Sequence, residues 1–230
     1  MKFPSSLLAV FLSAAMIASG GRTAVAADDA SIDRLLNKLP APEKVAKLQA
    51  AQTDPVMRDP IAQDIGKALS QRNSSHALKL SRHLTERYPK SPLAHCIRGA
   101  IASAERKYPE ATAAYRRTLD IQPKFSFAYL QLGALEAVQG HFAAALPYFQ
   151  KLVELEPKAP IGWVFLSDCS EKIGRRQESL QYAKRATAVG PTAAATWLQL
   201  ARAENALGHT ENAQRATAHA QKLMPRQAKR

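Results

Sequence analysis

Histidine and cysteine are the residue types through which this chain could do chemistry, and it contains six of the first and two of the second. His141 and His209 take equivalent positions in a repeating pattern, whereas His76 and His83 lie seven residues apart on one predicted helix. A metal site needs several such ligands grouped around one point. We therefore interpret these histidines as turn and surface residues.

The sequence also lacks the short motifs of known catalytic and phosphate-binding sites. It has no His-Glu-x-x-His, no Gly-x-Ser-x-Gly, no Cys-x-x-Cys and no glycine-rich phosphate loop. Asp168 and Cys169 have no histidine near them in the sequence that could help to form a nucleophile. We therefore predict that the chain is not an enzyme, with no catalytic residue, no metal and no cofactor.

Residues 1–26 are typical of a secretory signal peptide. Lys2 gives a positive start, residues 7–17 are mostly apolar, and Ala24, Val25 and Ala26 form a small-x-small cleavage site. The apolar run is about eleven residues long, whereas a membrane-spanning helix needs about 20. We predict export to a bacterial periplasm, a mature chain that begins near Ala27, and no stable transmembrane anchor.

An exported protein meets an oxidising environment, so its two cysteines raise the question of a disulfide. Cys96 and Cys169 fall at different positions of repeating units that are two apart. Stacked helices would separate them by about 20 Å, and a disulfide needs Cα atoms within about 7 Å. We predict two free, mostly buried thiols.

The chain is basic, with a formal net charge of +13. Such a charge favours acidic proteins, anionic polymers or anionic lipid surfaces as neighbours. Export argues against nucleic acid as the partner. The alternative is that the excess of lysine and arginine only keeps the protein soluble.

Two sets of residues recur every 34 positions and define the architecture. Small residues recur at Ala77, Ala111, Ala145, Ser179 and Ala213, and prolines recur at Pro55, Pro89, Pro123, Pro157, Pro191 and Pro225. The period predicts a repeat array over 58–227, with units at 58–91, 92–125, 126–159, 160–193 and 194–227. Residues 27–57 are predicted to form an N-terminal helical cap or, alternatively, a docking arm. Residues 228–230 form a basic tail.

Each unit is predicted to be a helical hairpin. In the third unit, apolar residues three apart indicate a first helix, Gly140 ends it, and a second helix runs over 143–156. Gly133 and Ala145 are small enough for the two helices to approach closely. Neither helix can bury its apolar face alone, so the units must stack into an all-α solenoid.

This pattern resembles the tetratricopeptide repeat family. The third unit matches it at Tyr129, Leu132, Gly133, Gly140, Ala145, Phe149 and Pro157. The resemblance implies a right-handed superhelical solenoid of about five helix-turn-helix units. The chain departs from the family where the second aromatic residue of the first helix is expected, at Ala102, Glu136, Ser170 and Glu204, and it has Asp64 where the first unit should have leucine.

In that family the first helices line a concave groove that holds peptides or partner helices. By position, the resemblance implies that the groove is lined by Leu93, Cys96, Phe127, Leu130, Ala134, Val138, Ile161, Val164, Asp168, Lys172, Leu198, Arg202 and Asn205. The alternative is that tight supercoiling, or the N-terminal helices, fill the groove and make these residues part of the core.

Basic residues recur at neighbouring positions of the second helices. We call this set the basic stripe; it comprises Arg82, Arg116, Arg117, Lys151, Lys184 and Arg185. It could contact an acidic protein, a membrane surface or an anionic envelope polymer. It could equally be an ordinary solvated face.

These patterns together predict a periplasmic adaptor or scaffold that binds a protein or peptide segment in its groove. Cell-envelope assembly, secretion or pilus-type machinery would be its setting. The alternatives are a structural protein that binds an anionic envelope polymer through the basic stripe, and an accessory subunit of an envelope enzyme. The sequence leaves the oligomeric state open.

Overall fold

The computed structural model describes residues 54–224, and this part of the chain is helical without any strand. A short 3-10 helix, Pro55–Arg58, precedes ten α-helices. Their bounds are α1 Pro60–Ser70, α2 Ser74–Arg87, α3 Pro92–Ala104, α4 Tyr108–Ile121, α5 Ser126–Val138, α6 Phe142–Leu155, α7 Pro160–Lys172, α8 Arg176–Val189, α9 Ala194–Ala206 and α10 Thr210–Leu223. The all-α helical repeat that the sequence predicted is confirmed. The predicted signal peptide, the basic tail and most of the predicted N-terminal cap lie outside the described residues.

The described residues divide into two compact units. Unit 1 contains α1 to α5 and ends at Val138; unit 2 begins at Gln139 and contains α6 to α10. Within each unit, consecutive helices pack against one another: α1 to α5 in the first, and α6 to α10 in the second. In unit 2, α7 also contacts α9.

Close packing in unit 1 depends on a small residue facing a large one. Tyr115 of α4 is completely buried, and its ring lies against Gly99 of α3. A Cβ added at Gly99 would lie 2.8 Å from Cε1 of Tyr115, closer than side chains pack. A glycine at this position therefore lets the tyrosine ring into the core.

Unit 2 is held together by an aromatic stack and a buried polar group. The rings of Phe149 on α6 and Phe165 on α7 are parallel within 6°, with centroids 4.8 Å apart. Ser167 of α7 donates to the main-chain oxygen of Ser179 at 2.9 Å and accepts from Nε2 of Gln199 on α9 at 3.0 Å. These bonds satisfy polar groups that burial would otherwise leave unpaired.

The turn that follows the first helix of each repeat contains a residue in the left-handed conformation. Gly140, Gly174 and Gly208 fill it with φ between 79° and 82°. The two earlier hairpins carry Arg72 and Arg106 there, both with φ of 56°. Glycine adopts this conformation at little cost, whereas residues with a Cβ do not.

The recurring prolines anchor the helix that follows them. The side chain six residues after a proline hydrogen-bonds to the proline carbonyl, and it comes from the first helix of the next hairpin. The pairs are His95 Nε2 with Pro89 at 3.0 Å, Tyr129 OH with Pro123 at 3.1 Å, Trp163 Nε1 with Pro157 at 3.0 Å, and Trp197 Nε1 with Pro191 at 2.7 Å. Each bond fixes the start of a first helix to the turn before it.

The first helix of the first hairpin forms although the family pattern is weakest there. Asp59 caps α1 by accepting from the main-chain nitrogen of Ile61 at 2.8 Å, and it also accepts from the hydroxyl of Tyr88 at 2.8 Å. Asp64, which stands where leucine was expected, is exposed and pairs with Lys67 at 2.8 Å. The substitution therefore places no charge in the core.

Candidate partner-binding surface

Part of the predicted groove in unit 1 is interior. Leu93 and Cys96 on α3 are 5 % and 0 % exposed, and Ala134 on α5 is 3 % exposed. The prediction that these three side chains offer surface to a partner is therefore corrected. For α3 the reason is that nine of its 13 residues are buried, and its partly exposed residues, among them His95 and Arg98, lie at other positions than the predicted ones.

The remaining predicted groove residues of unit 1 lie on α5 and are accessible. Phe127, Leu130 and Val138 are each partly exposed. Leu130 lies one helical turn from Phe127, so these two residues lie on the same side of the helix. Unit 1 therefore presents an apolar strip on one helix rather than on two.

Unit 2 presents partly exposed apolar residues on two helices that contact each other. Ile161 and Val164 lie one turn apart on α7, and Leu198 lies on α9. Three partly exposed aliphatic side chains on adjoining helices form the kind of apolar patch that partners cover.

The polar end predicted for this patch exists, and part of it is neutralised. Nη2 of Arg202 on α9 lies 3.3 Å from Oδ1 of Asp168 on α7. Lys172 and Asn205 are exposed. The salt bridge joins the two helices beside the apolar residues, so Asp168 and Arg202 contribute a polar edge with little net charge.

The two cysteines are free and completely buried, as predicted. Burial raises the pKa of Cys169 to about 12, with a further contribution from the charge of Asp168. Burial also raises the pKa of the Cys96 thiol well above its ordinary value. Since the thiolate is the nucleophile, neither residue is prepared for covalent chemistry.

Within residues 54–224, no three histidine, cysteine, aspartate or glutamate side chains are grouped so that they could hold a metal ion. His209 lies at the turn after α9, where its Nδ1 is 2.7 Å from Oε2 of the buried Glu204. That hydrogen bond links the turn to α9. In the same range, no helix has the length and apolar character needed to cross a bilayer.

Half of the basic stripe is paired with carboxylates, so it is not a continuous row of free charges. Arg82 binds Glu110 through two hydrogen bonds of 3.1 and 2.9 Å. Lys151 lies 2.7 Å from Glu154, and Arg117 lies 4.0 Å from Asp120.

Arg116, Lys184 and Arg185 are exposed, and no carboxylate in the described part of the chain pairs with them. Lys184 and Arg185 border a cleft that also contains Trp163 and Tyr182, two residues that sequence reasoning did not assign to a site. A signal was present, because Tyr182 precedes Arg185 by three residues and so shares its helix face.

Part of the chain is similar to a known protein family. Residues 130–194 match the tetratricopeptide repeat family. No curated protein sequence is significantly similar to the chain.

Solved structures share the fold at low sequence identity. MamA from Desulfovibrio magneticus RS-1, residues 41 to the end, is 14 % identical with a TM-score of 0.65, over 71 % of this chain and 92 % of that one. YrrB, described as a TPR protein with an unusual peptide-binding site, is 18 % identical with a TM-score of 0.59, over 78 % and 92 %. PilW, described as a widely conserved type IV pilus biogenesis factor, is 22 % identical with a TM-score of 0.62, over 71 % and 76 %.

Proposed function

We propose that this chain is an exported, non-enzymatic adaptor that binds a protein or peptide segment on the first helices of its repeats. The observation that carries the proposal is the partly exposed apolar patch of unit 2, where Ile161 and Val164 of α7 adjoin Leu198 of α9. Leu130 on α5 adds accessible apolar surface in unit 1. Burying aliphatic side chains of this kind yields roughly 25 cal/mol per Å² of apolar area.

The repeat type supports this proposal. A related fold in YrrB carries a peptide-binding site, and another in PilW belongs to a pilus biogenesis factor. The signal-peptide pattern of residues 1–26 supports export, and we therefore place the adaptor in envelope assembly, secretion or pilus-type machinery. The two free cysteines support a non-enzymatic role, because burial raises the pKa of each thiol.

Site-specific photocrosslinking in intact cells tests the surface. A photoreactive amino acid is placed at Val164 or Leu130, and at Gln150, an exposed residue of α6, as a control. We expect a defined crosslinked protein from the first two positions and none from Gln150. Crosslinks that were equally frequent at all three positions would contradict the proposal.

Charged substitutions test the same surface by a different route. Val164→Glu and Leu130→Glu should each abolish co-purification of the protein that was identified by crosslinking. The helical circular dichroism and the melting temperature of both variants should stay close to those of the wild type. An enzyme as the captured partner would assign the accessory-subunit role.

Salt distinguishes this proposal from binding of an anionic polymer through the basic stripe. About 0.5 M salt screens charges beyond a few ångströms, so apolar binding should persist while stripe binding is lost. The polymer alternative has less structural support, because Arg82, Lys151 and Arg117 each have a carboxylate neighbour.

A further inference from the structure

A cleft of about 430 Å³ opens on the surface of unit 2, apart from the apolar patch proposed above. Trp163 of α7 and four residues of α8 line it: Gln181, Tyr182, Lys184 and Arg185. Its volume is within the range of natural ligand sites, which begins at about 300 Å³. Tryptophan, tyrosine and arginine are also the residue types most enriched at sites that dominate binding energy.

The aromatic side of the cleft is fixed before any ligand arrives. Nε1 of Trp163 donates to the carbonyl oxygen of Pro157 at 3.0 Å, which holds the orientation of the indole. The ring of Tyr182 lies 6.1 Å from the indole, tilted by 32°. Binding to this wall therefore requires little ordering of side chains, and ordering is one of the main costs of association.

The cationic side of the cleft is uncompensated. Lys184 and Arg185 are exposed, and among the described residues neither has an acidic partner. Elsewhere along the basic stripe, Arg82 and Lys151 have acidic partners at 2.9 and 2.7 Å. Among the described members of the basic stripe, this pair and Arg116 of unit 1 therefore lack an acidic partner, so the free positive charge does not form a continuous row along the helices.

The chemistry of the ligand follows from this distribution. A long polyanion gains affinity by neutralising many charges in a row, and this surface does not offer such a row. A short segment with one or two carboxylates matches it: guanidinium and ammonium groups bind carboxylates by charge-assisted hydrogen bonds, and the aromatic wall accepts a neighbouring apolar side chain.

We propose that this cleft is a second binding site, specific for a short acidic segment of polypeptide. The carboxylates contact Lys184 and Arg185, and an apolar side chain of the segment packs against Trp163 and Tyr182. The site is separate from the patch of Ile161, Val164 and Leu198, so its existence does not depend on that proposal.

Unit 1 contains an internal control for this site. Arg116 and Arg117 take the positions in α4 that Lys184 and Arg185 take in α8. The residue equivalent to Tyr182 there is Ala114, so the same pair of cations lacks the aromatic wall. A charge reversal at the two places changes the net charge equally, but only in unit 2 do the reversed residues line the aromatic cleft.

The test measures binding of a fluorescein-labelled hexapeptide of two glutamates, two serines, one phenylalanine and one leucine to the full chain, by fluorescence anisotropy at about 50 mM salt. We expect K184E with R185E to weaken binding by about tenfold or more, and R116E with R117E to change it less than about twofold. A peptide with glutamines in place of the glutamates should bind at least about tenfold more weakly.

A second pair of variants tests the aromatic wall. Tyr182→Ala should lower the affinity for the hexapeptide about fivefold. Tyr182→Phe should retain the wild-type affinity, because the ring rather than the hydroxyl supplies the contact. Thermal unfolding of both variants verifies that the fold is intact. The variants V164E and L130E should leave hexapeptide binding unchanged, so failure of one site can be distinguished from failure of the other.

Four outcomes with these peptides and variants would overturn the proposal. These are no binding of the hexapeptide by the wild-type chain, equal losses in the two charge-reversal variants, equal affinity for the glutamine peptide, and no effect of Tyr182→Ala. Displacement of the peptide by oligogalacturonate at lower concentrations than by unlabelled peptide would also overturn it, and would assign the cleft to an acidic carbohydrate.

Discussion

Arg82 of α2 and Glu110 of α4 form a two-point ion pair: Nε donates to Oε1 at 3.1 Å and Nη2 donates to Oε2 at 2.9 Å. Arg98 of α3 donates to the same Oε1 at 3.0 Å. Glu110 thereby links three helices of unit 1. The hydrogen bond from Arg82, with a smaller one from Arg98, holds the pKa of Glu110 below its ordinary value even though partial burial acts in the opposite direction.

Replacing Glu110 with glutamine should destabilise the chain by about 1 kcal/mol at pH 7. Hydrogen bonds between charged groups are stronger than those between neutral groups, but partial exposure of this carboxylate to solvent reduces the difference. Because the folded pKa is lowered, the contribution is full above the ordinary value of 4.5 and disappears as the pH falls through the folded pKa. Urea unfolding of the wild type and the variant at pH 7 and pH 3 measures both the loss of stability and its disappearance in acid. E86Q, which alters an exposed i,i+3 pair with His83, should have little effect; an equal loss there would contradict the role of Glu110.

His95 should make the chain less stable in acid. Burial, reinforced by Arg117 and Arg98, holds the pKa of His95 below its ordinary value of 6.5. The unfolded chain then binds more protons, so stability is full above pH 6.5 and falls as the pH drops through the folded pKa.

The variant His95→Tyr tests this expectation, because Tyr129 makes the equivalent bond to Pro123 in the next hairpin. Its unfolding free energy should fall less than that of the wild type between pH 7.5 and pH 5. Gln150→Tyr, at an exposed position whose side chain carries no charge, should retain the wild-type pH dependence. A wild-type pH profile in His95→Tyr would show that this histidine is not responsible.

Arg106→Gly should stabilise the chain by about 0.5–1 kcal/mol, although glycine also increases the entropy of the unfolded state. The reason is that Arg106 has a φ of 56°, in the left-handed region that later hairpins fill with glycine. Urea unfolding gives the difference. Lys107→Gly is the matched control, since Lys107 has a φ of −83° and gains no relief from the substitution. Equal shifts in the two variants would refute the strain at Arg106.

Both thiols should be unreactive in the folded protein. With a pKa of about 12, Cys169 is almost entirely protonated at pH 8, and Cys96 is equally shielded by burial. Titration with a chromogenic disulfide reagent should detect fewer than about 0.1 thiols per chain within minutes at pH 8, and two after addition of urea. Rapid reaction without urea would indicate that a cysteine-bearing helix opens locally.

The helical repeat was predictable because its determinants are local and periodic. Pro157 and Gly140 mark where one helix ends and the next begins, and the recurrence of such residues indicated helix boundaries to within a residue or two. The second helix of the third unit was predicted over 143–156 and is observed at Phe142–Leu155.

The site was less predictable because burial and charge pairing depend on contacts between helices. Cys96 takes a groove position in the family pattern, yet it lies on a helix that is buried on nearly every side. Arg82 finds its carboxylate 28 residues away on another helix, which no local pattern shows. The sequence of α3 did contain a warning, since Arg98 is its one arginine, lysine or acidic residue.

The bonds from Trp163 to Pro157 and from Trp197 to Pro191 give the protein a spectroscopic asymmetry. They involve both of its tryptophans, and both lie in unit 2. Indole emission therefore reports the melting of unit 2 alone, while far-ultraviolet circular dichroism follows the helices of both units. Repeat arrays can lose cooperativity along their length. A difference between the two midpoints would reveal stepwise unfolding without any added label.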